Sequence, residues 1–183
     1  GSLTLKNSIV FAPTSVGREG LDFYEKIAKG GASLIILPDI SVIPSMLGAP
    51  SLGSLQYADY FRKVVEICHR YDCKVSVQLF HPEYDVDYIG SLYRQRGKIS
   101  SDEVHRLLAE NMMGYAYTLT TEQADASVEK FAAAARNARE VGVDMIQIHG
   151  DRLIGSFSSA LFNHRTDRYA PHTAFAEAVV KAV

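Results

Sequence analysis

Two kinds of hydrophobic pattern alternate along this chain. Short apolar runs predict strands, and apolar residues that recur every three or four positions predict helices. The strands are expected at residues 8–12, 34–37, 74–79 and 144–148. The helices are expected at residues 21–28, 61–68, about 120–141 and 172–183. Residues 34–37 are apolar throughout, which is typical of a strand buried on both faces of a parallel sheet.

Helix ends are marked by turn and capping residues. Gly30 and Gly31 end the first predicted helix, and Gly142 ends the long third one. Thr120 and Gln123 have the spacing of a capping box at the start of that long helix.

The stretch from His81 to about Leu119 has the composition of an irregular segment. It is rich in Tyr, Gly, Ser and mixed charge, and only residues 102–111 suggest a short helix. We therefore expect a long inserted loop at about 82–119, because insertions of this length usually carry function. The order β-α-β-α-β-loop-α-β-α predicts parallel βαβ units, so the fold class is α/β.

Composition narrows the class of protein. The 183 residues include 19 Lys and Arg against 21 Asp and Glu, and 47% are hydrophobic. This mix argues against disorder, and the chain has no basic block to bind nucleic acid. No apolar run approaches the roughly 20 residues of a membrane helix. Cys68 and Cys73 match no metal or redox spacing, so we expect idle thiols and a cytoplasmic protein.

Polar residues follow each predicted strand. These residues are Thr14 and Ser15, Asp39, Gln78 and His81, and His149 through Arg152. The carboxyl ends of parallel strands meet at one edge, where active sites lie in barrels and open sheets. The sequence contains neither glycine-rich phosphate motif, no H-E-x-x-H and no G-x-S-x-G. We expect no metal ion at His149 and Asp151.

Several segments resemble the Old Yellow Enzyme family of FMN-dependent ene-reductases, nearly from end to end. They are LKNSIVFAP at 5–13, GGASLII at 30–36, VQLFH at 77–81, the stretch from Phe131 to His149, and NHRTDRY at 163–169. The resemblance implies a (β/α)8 TIM barrel, of which this chain holds the first four β/α units, with FMN at the carboxyl ends of the strands and NAD(P)H as electron donor. It also implies a small-molecule substrate, and it is compatible with assembly into a homo-oligomer.

The same resemblance assigns roles to individual positions. Residues that would line the flavin are Ala12, Pro13, Thr14 and Ser15, and Gln78 would hydrogen-bond its pyrimidine side. His149 would bind the substrate carbonyl as the first member of the family's H-x-x-H or H-x-x-N pair. Binding of that carbonyl makes the conjugated alkene electrophilic at its far carbon.

The chain departs from the family after His149. The family pattern H-x-x-H-G-Y is replaced by HGDRL at 149–153, so Arg152 takes the second carbonyl-binding position and the proton-donating tyrosine is lost. The later strands of the barrel are absent as well, so we expect a fragment, or the ordered part, of a longer polypeptide. A longer protein could also carry FAD and an iron–sulfur cluster.

In its Asp-Arg motif the chain resembles the bilirubin reductases of gut anaerobes. This resemblance implies reduction of bilirubin toward urobilinogen, with Asp151 and Arg152 as catalytic residues. The planar guanidinium of Arg152 suits a carboxylate or a carbonyl, and Asp151 could supply the proton if it is buried.

Other interpretations remain open. The substrate could instead be an enoate, a 2,4-dienoyl-CoA or a steroid. The chain could also be a non-catalytic half-barrel assembly module, or a flavin-free barrel enzyme for a phosphorylated metabolite. Asp151 and Arg152 could form an ion pair that holds a loop, as we expect of Arg165 and Asp167.

Overall fold

The computed structural model describes residues 2–14, 20–44, 50–95 and 97–183. The chain divides into two compact units. We call Gly1–Phe80 with Lys130–His149 the sheet unit, and His81–Glu129 with Gly150–Val183 the helical unit.

The four strands found among the described residues lie in the sheet unit. They are β1 (Val10–Phe11), β2 (Leu34–Ser41), β3 (Lys74–Phe80) and β4 (Met145–Ile148). They form one sheet in the order β1-β2-β3-β4, and every neighbouring pair is parallel. The four strands predicted from the apolar runs are therefore confirmed, although their ends differ by a few residues.

One face of this sheet is closed by helices. Val75, Val77 and Leu79 alternate along β3 and are 0% exposed. Helix α1 (Leu21–Lys29) contacts β2, and α2 (Ala58–His69) contacts β3. Each fully buried Val or Leu side chain contributes about 1.5–3 kcal/mol relative to its exposed state. The helices thus cover the side of the sheet opposite to the polar side chains described below.

Strand β2 contains an irregularity opposite Gln78. Leu37 pairs with Val77 and Ile40 pairs with Leu79, so Pro38 and Asp39 share one position of the ladder. Proline has no N–H to donate and is confined to bulges inside a sheet. Asp39 adopts a left-handed conformation with φ 49°. The strand resumes beyond this bulge, which is why it ends later than the predicted residue 37.

The stretch expected to be irregular is mostly helical, so that prediction is wrong, apart from the short helix that was expected at residues 102–111. Helices α3 (Val86–Arg94) and α4 (Ser101–Thr118) occupy it. The Asp85 side chain accepts a hydrogen bond from the N–H of Tyr88 at 2.9 Å. The Ser100 hydroxyl accepts one from the N–H of Glu103 at 3.1 Å. These caps satisfy backbone donors that would otherwise be unpaired at a helix start, and composition alone did not reveal them.

The predicted capping box is confirmed at the start of α5 (Thr121–Glu140). The N–H of Gln123 donates to the Thr120 hydroxyl at 3.2 Å, and the N–H of Thr120 donates to the side-chain Oε1 of Gln123 at 2.8 Å. Gly142 follows the helix with φ 90°, a conformation that favours glycine.

Two further helices complete the helical unit. The short helix α6 (Arg152–Ser158) was not predicted, whereas α7 (Ala174–Ala182) lies within the last predicted helix. Phe157 of α6 stacks on Phe175 of α7 with 4.0 Å between the ring centroids. Within the described ranges, no helix is long and apolar enough to span a membrane. Cys68 and Cys73 are buried free thiols, as expected.

An ion pair joins three segments of the helical unit. Arg165 donates from Nε and Nη2 to the two carboxylate oxygens of Asp167, at 2.9 and 2.5 Å. Its Nη1 also donates to the backbone oxygens of Ala116 and Leu119, at the end of α4. Thr121, the first residue of α5, donates to Asp167 at 2.5 Å. The expectation that Arg165 and Asp167 form a structural pair is confirmed.

Candidate active site

Two glutamine side chains meet on one face of the sheet unit. Gln78 of β3 pairs in register with Gln147 of β4, so both side chains point to the same side. Gln78 Nε2 donates to Gln147 Oε1 at 2.8 Å, and both residues are partly exposed. Gln78 was a predicted site residue, whereas Gln147 was not. The alternation of Gln147 with Ile146 and Ile148 was the signal that could have found it.

His149 continues this polar face by one position. Its backbone N–H donates to the Leu79 oxygen at 2.9 Å, so the ladder extends beyond the last residue of β4. Because side chains alternate along a strand, His149 shares the face of Gln147. His149 Nε2 lies 3.8 Å from Asp39 Oδ1, at the bulge of β2. A carboxylate therefore lies beside an imidazole that the sequence analysis expects to bind a carbonyl.

The described flavin-lining candidates after β1, Ala12, Pro13 and Thr14, lie at the same edge of the sheet. Ala12 and Thr14 are exposed and Pro13 is partly exposed. Ser15 lies outside the described residues. Ala12, Pro13, Thr14, Gln78 and His149 thus follow or approach the carboxyl ends of strands in one parallel sheet. Their individual roles remain predictions.

The donors and acceptors on this face fit the edge of a flavin. The pyrimidine ring of a flavin presents an N–H donor flanked by two carbonyl acceptors. After the bond between the two glutamines, Gln78 keeps an amide oxygen and Gln147 keeps its NH2 group. Gln78 could accept from the ring N–H, and Gln147 could donate to a ring carbonyl. Among the described residues, no group of three His, Cys, Asp or Glu side chains is placed to hold a metal ion.

Asp151 and Arg152 start helix α6 in the helical unit. Asp151 is exposed, and its Oδ1 accepts a hydrogen bond from the N–H of Arg152 at 2.7 Å. The burial on which its proposed proton transfer depends is therefore not seen in this structure. Arg152 has φ 59°, in the left-handed region that side chains other than glycine rarely adopt.

Glu83 is the residue of this region that the sequence analysis missed. Its Oε1 accepts a hydrogen bond from Arg152 Nη1 at 3.2 Å, and the residue is only 7% exposed. Burial raises the pKa of the neighbouring Tyr84 phenol, and the charge of Glu83 raises it further while that of Arg152 lowers it. A lone acidic residue two positions after His81 gave no pattern that could have identified this contact.

Comparisons with known proteins agree in the family they indicate. The family model for the NADH:flavin oxidoreductase / NADH oxidase family matches residues 1–183. A bilirubin reductase of Mediterraneibacter gnavus is 37% identical, over 92% of this chain and 27% of that protein. A bilirubin reductase of Clostridium symbiosum is 36% identical, over 94% of this chain and 48% of that protein. A cinnamate reductase of Clostridium sporogenes is 30% identical, over 92% of this chain and 28% of that protein.

Solved structures show the same fold. The Old Yellow Enzyme from Pichia sp. AKU4542 superposes with a TM-score of 0.75 at 23% identity, covering 98% of this chain and 54% of that one. Morphinone reductase superposes with a TM-score of 0.70 at 21% identity, covering all of this chain and 56% of that one. The chain thus spans half or less of the bilirubin reductases it matches, and about half of these structures. Its four parallel β/α units correspond to the N-terminal half of a (β/α)8 TIM barrel, as predicted. The match of the family model along the whole chain establishes that this protein belongs to the NADH:flavin oxidoreductase / NADH oxidase family.

Proposed function

We propose that this chain is the substrate- and flavin-binding half of an FMN-dependent reductase of conjugated C=C bonds, and that bilirubin is its substrate. The observation that carries the proposal is the polar face formed by Gln78, Gln147 and His149 at the carboxyl ends of β3 and β4. That face offers hydrogen bonds to both a flavin edge and a carbonyl group. The identity to two bilirubin reductases supports the choice of substrate.

FMN is the cofactor that the family implies, with NAD(P)H as its reductant. When bound, FMN supplies the hydride that the alkene accepts. Gln78 and Gln147 would hold its pyrimidine edge, and Ala12 to Thr14 would line it, together with Ser15. The protein's own contribution is to orient the substrate and to stabilise the charge that develops on it.

His149 and Arg152 bind and polarise the carbonyl in this proposal. Both side chains donate hydrogen bonds, so they withdraw electron density through the conjugated system and make its far carbon electrophilic. Arg152 adds a full positive charge, which stabilises the negative charge that grows on the oxygen. Bilirubin presents lactam carbonyls conjugated to alkenes, which suits this arrangement.

Asp151 supplies the proton that completes the reduction. The alkene gains a hydride at one carbon and a proton at the other, so a proton donor is required in place of the family's tyrosine. Asp151 is exposed in this chain, and its role requires that the bound substrate covers it. Neither Asp151 nor Arg152 is expected to contact the flavin.

Single-turnover reoxidation of the reduced flavin by bilirubin tests the proposal. Arg152→Ala should slow this reaction by about 10²–10³, because it removes a charge-assisted donor from the developing oxyanion. Asp151→Asn should cause a loss of similar size, with the shape retained. Flavin absorbance should stay unchanged in both variants. The thermal midpoint should stay unchanged in Asp151→Asn, whereas Arg152→Ala should lower it because the buried Glu83 carboxylate loses its partner. Wild-type rates in both variants would refute the catalytic assignment, and a protein that takes up no FMN would refute the proposal as a whole.

A general enoate reductase is the second candidate. The 30% identity to a cinnamate reductase favours it. The compound that reoxidises the reduced flavin distinguishes the two candidates. Reoxidation by cinnamate but not by bilirubin would favour the second candidate. We also place the protein in the cytoplasm, because the thiols of Cys68 and Cys73 are both free.

A further inference from the structure

Residues that follow β3 contact Arg152 and Leu153 at two points within the helical unit. The N–H of Leu153 donates to the backbone oxygen of His81 at 3.2 Å. Arg152 Nη1 donates to Glu83 Oε1 at the same distance. The first contact fixes the backbone next to Arg152, and the second fixes the end of its side chain.

The two members of the ion pair differ in burial. The Glu83 side chain is 9% exposed, whereas the Arg152 side chain is 39% exposed. The carboxylate is therefore the anchored member, and part of the arginine remains accessible to a ligand. This is the arrangement expected when the acid holds the base in place.

Glu83 is costly to bury in its present surroundings. Its Oε2 is buried and has no hydrogen-bond partner among the residues that the structure describes. A buried carboxylate oxygen without a donor is unfavourable, so this pair is a weak contributor to stability. A role in placing Arg152 accounts for the residue better than a stabilising role does.

The backbone of Arg152 is also constrained. Its φ of 59° lies in the left-handed region, and Asp151 Oδ1 accepts its N–H at 2.7 Å. Residues in this conformation are strained and persist only where the surroundings determine them, often at functional sites. Backbone and side chain of Arg152 are thus both held, which leaves the guanidinium little freedom.

We infer that Glu83 is a positioning residue that holds the Arg152 guanidinium in place for the substrate carbonyl. This inference rests on the proposed function, in which Arg152 binds that carbonyl. Glu83 itself need not contact the substrate. Since a displacement of about 1 Å can cost about 10² in rate, loss of the anchor should slow the reaction without removing a reacting group.

The test combines four variants of the flavin-loaded holoenzyme. They are Glu83→Gln, Glu83→Asp, Arg152→Ala and the double variant Glu83→Gln/Arg152→Ala. The matched control is Glu103→Gln, because Glu103 also pairs with an arginine, at 2.7 Å, but on the exposed surface of α4. Each protein is assayed for single-turnover flavin reoxidation by bilirubin, for flavin content and for its thermal midpoint.

Glu83→Gln should slow reoxidation at saturating bilirubin by about 10- to 100-fold, with flavin content retained. Glu83→Asp keeps the charge and should recover part of this loss. In the Arg152→Ala background, Glu83→Gln should have no further effect, because its influence passes through the arginine. Glu103→Gln should behave like the wild type.

Three results would overturn the inference. The first is a wild-type rate of reoxidation in Glu83→Gln. The second is that Glu83→Gln slows the Arg152→Ala variant by the same factor as it slows the wild type. The third is that the rate loss in Glu83→Gln is explained by a lowered thermal midpoint. A crystal structure of Glu83→Gln tests the positioning role without substrate. An undisplaced, well-ordered Arg152 in that structure would also refute the inference that Glu83 positions it. If wild-type protein fails to react with bilirubin, the proposed function fails, and the crystal structure still decides the role of Glu83. If Glu83→Gln does not fold, Glu83→Asp provides the same comparison.

Discussion

Removal of the Arg165 guanidinium should destabilise the helical unit more than removal of any exposed charge. The informative substitution is Arg165→Met, because methionine keeps the apolar stem that packs near the Phe157 ring, 5.5 Å from the guanidinium carbon. The change removes hydrogen bonds to both oxygens of Asp167 and to the backbone oxygens of Ala116 and Leu119.

The expected magnitude follows from the burial of the pair. The Arg165 side chain is 4% exposed and that of Asp167 is 25% exposed. Breaking a buried ion pair typically costs 3–5 kcal/mol. Asp167 keeps its bonds from Thr121 and from the N–H of Tyr169, and water reaches it, so the lower end of about 3 kcal/mol applies. For a protein of this size that corresponds to a fall of about 6–12 °C in the thermal midpoint.

The assay is thermal unfolding followed by circular dichroism, with Arg168→Met as the matched control. Arg168 also lies over an aromatic ring, at 5.3 Å from that of Tyr169, and pairs with Asp125, but its side chain is 60% exposed. The control should therefore shift the midpoint much less. Equal shifts in the two variants, or a loss below about 1 kcal/mol in Arg165→Met, would refute the reasoning from burial.

Two further predictions concern the same unit. The hydrogen bonds from Arg165 hold the pKa of Asp167 well below its usual range, so its stabilisation is complete above about pH 4 and is lost as the pH falls through the folded-state pKa. Urea unfolding from pH 7 down to pH 3 should show a steeper loss of stability in the wild type than in Asp167→Asn, and equal slopes would contradict this. Ser100→Ala should cost about 1 kcal/mol because it removes the cap of α4, whereas Ser101→Ala, one residue further along, should stay within about 0.5 kcal/mol. A larger effect of Ser101→Ala in the same urea titration would contradict the assignment of the cap.

The sequence by itself determined the local elements and the family. The apolar runs predicted four strands, and the capping box of Thr120 and Gln123 predicted the start of α5, because hydrophobic period and capping depend on residues close in the chain. Helix α3 was missed, and α4 was predicted only over residues 102–111, although the caps of both helices at Asp85 and Ser100 are equally local.

Only the tertiary structure revealed which distant side chains meet. Gln78 bonds to Gln147, and Glu83 to Arg152, and each pair is separated by 69 positions in the chain. The first contact depends on the register of β3 and β4, and the second on the path of the chain after β3. Neither register nor path is encoded in a local pattern, because both result from the packing of whole elements against each other.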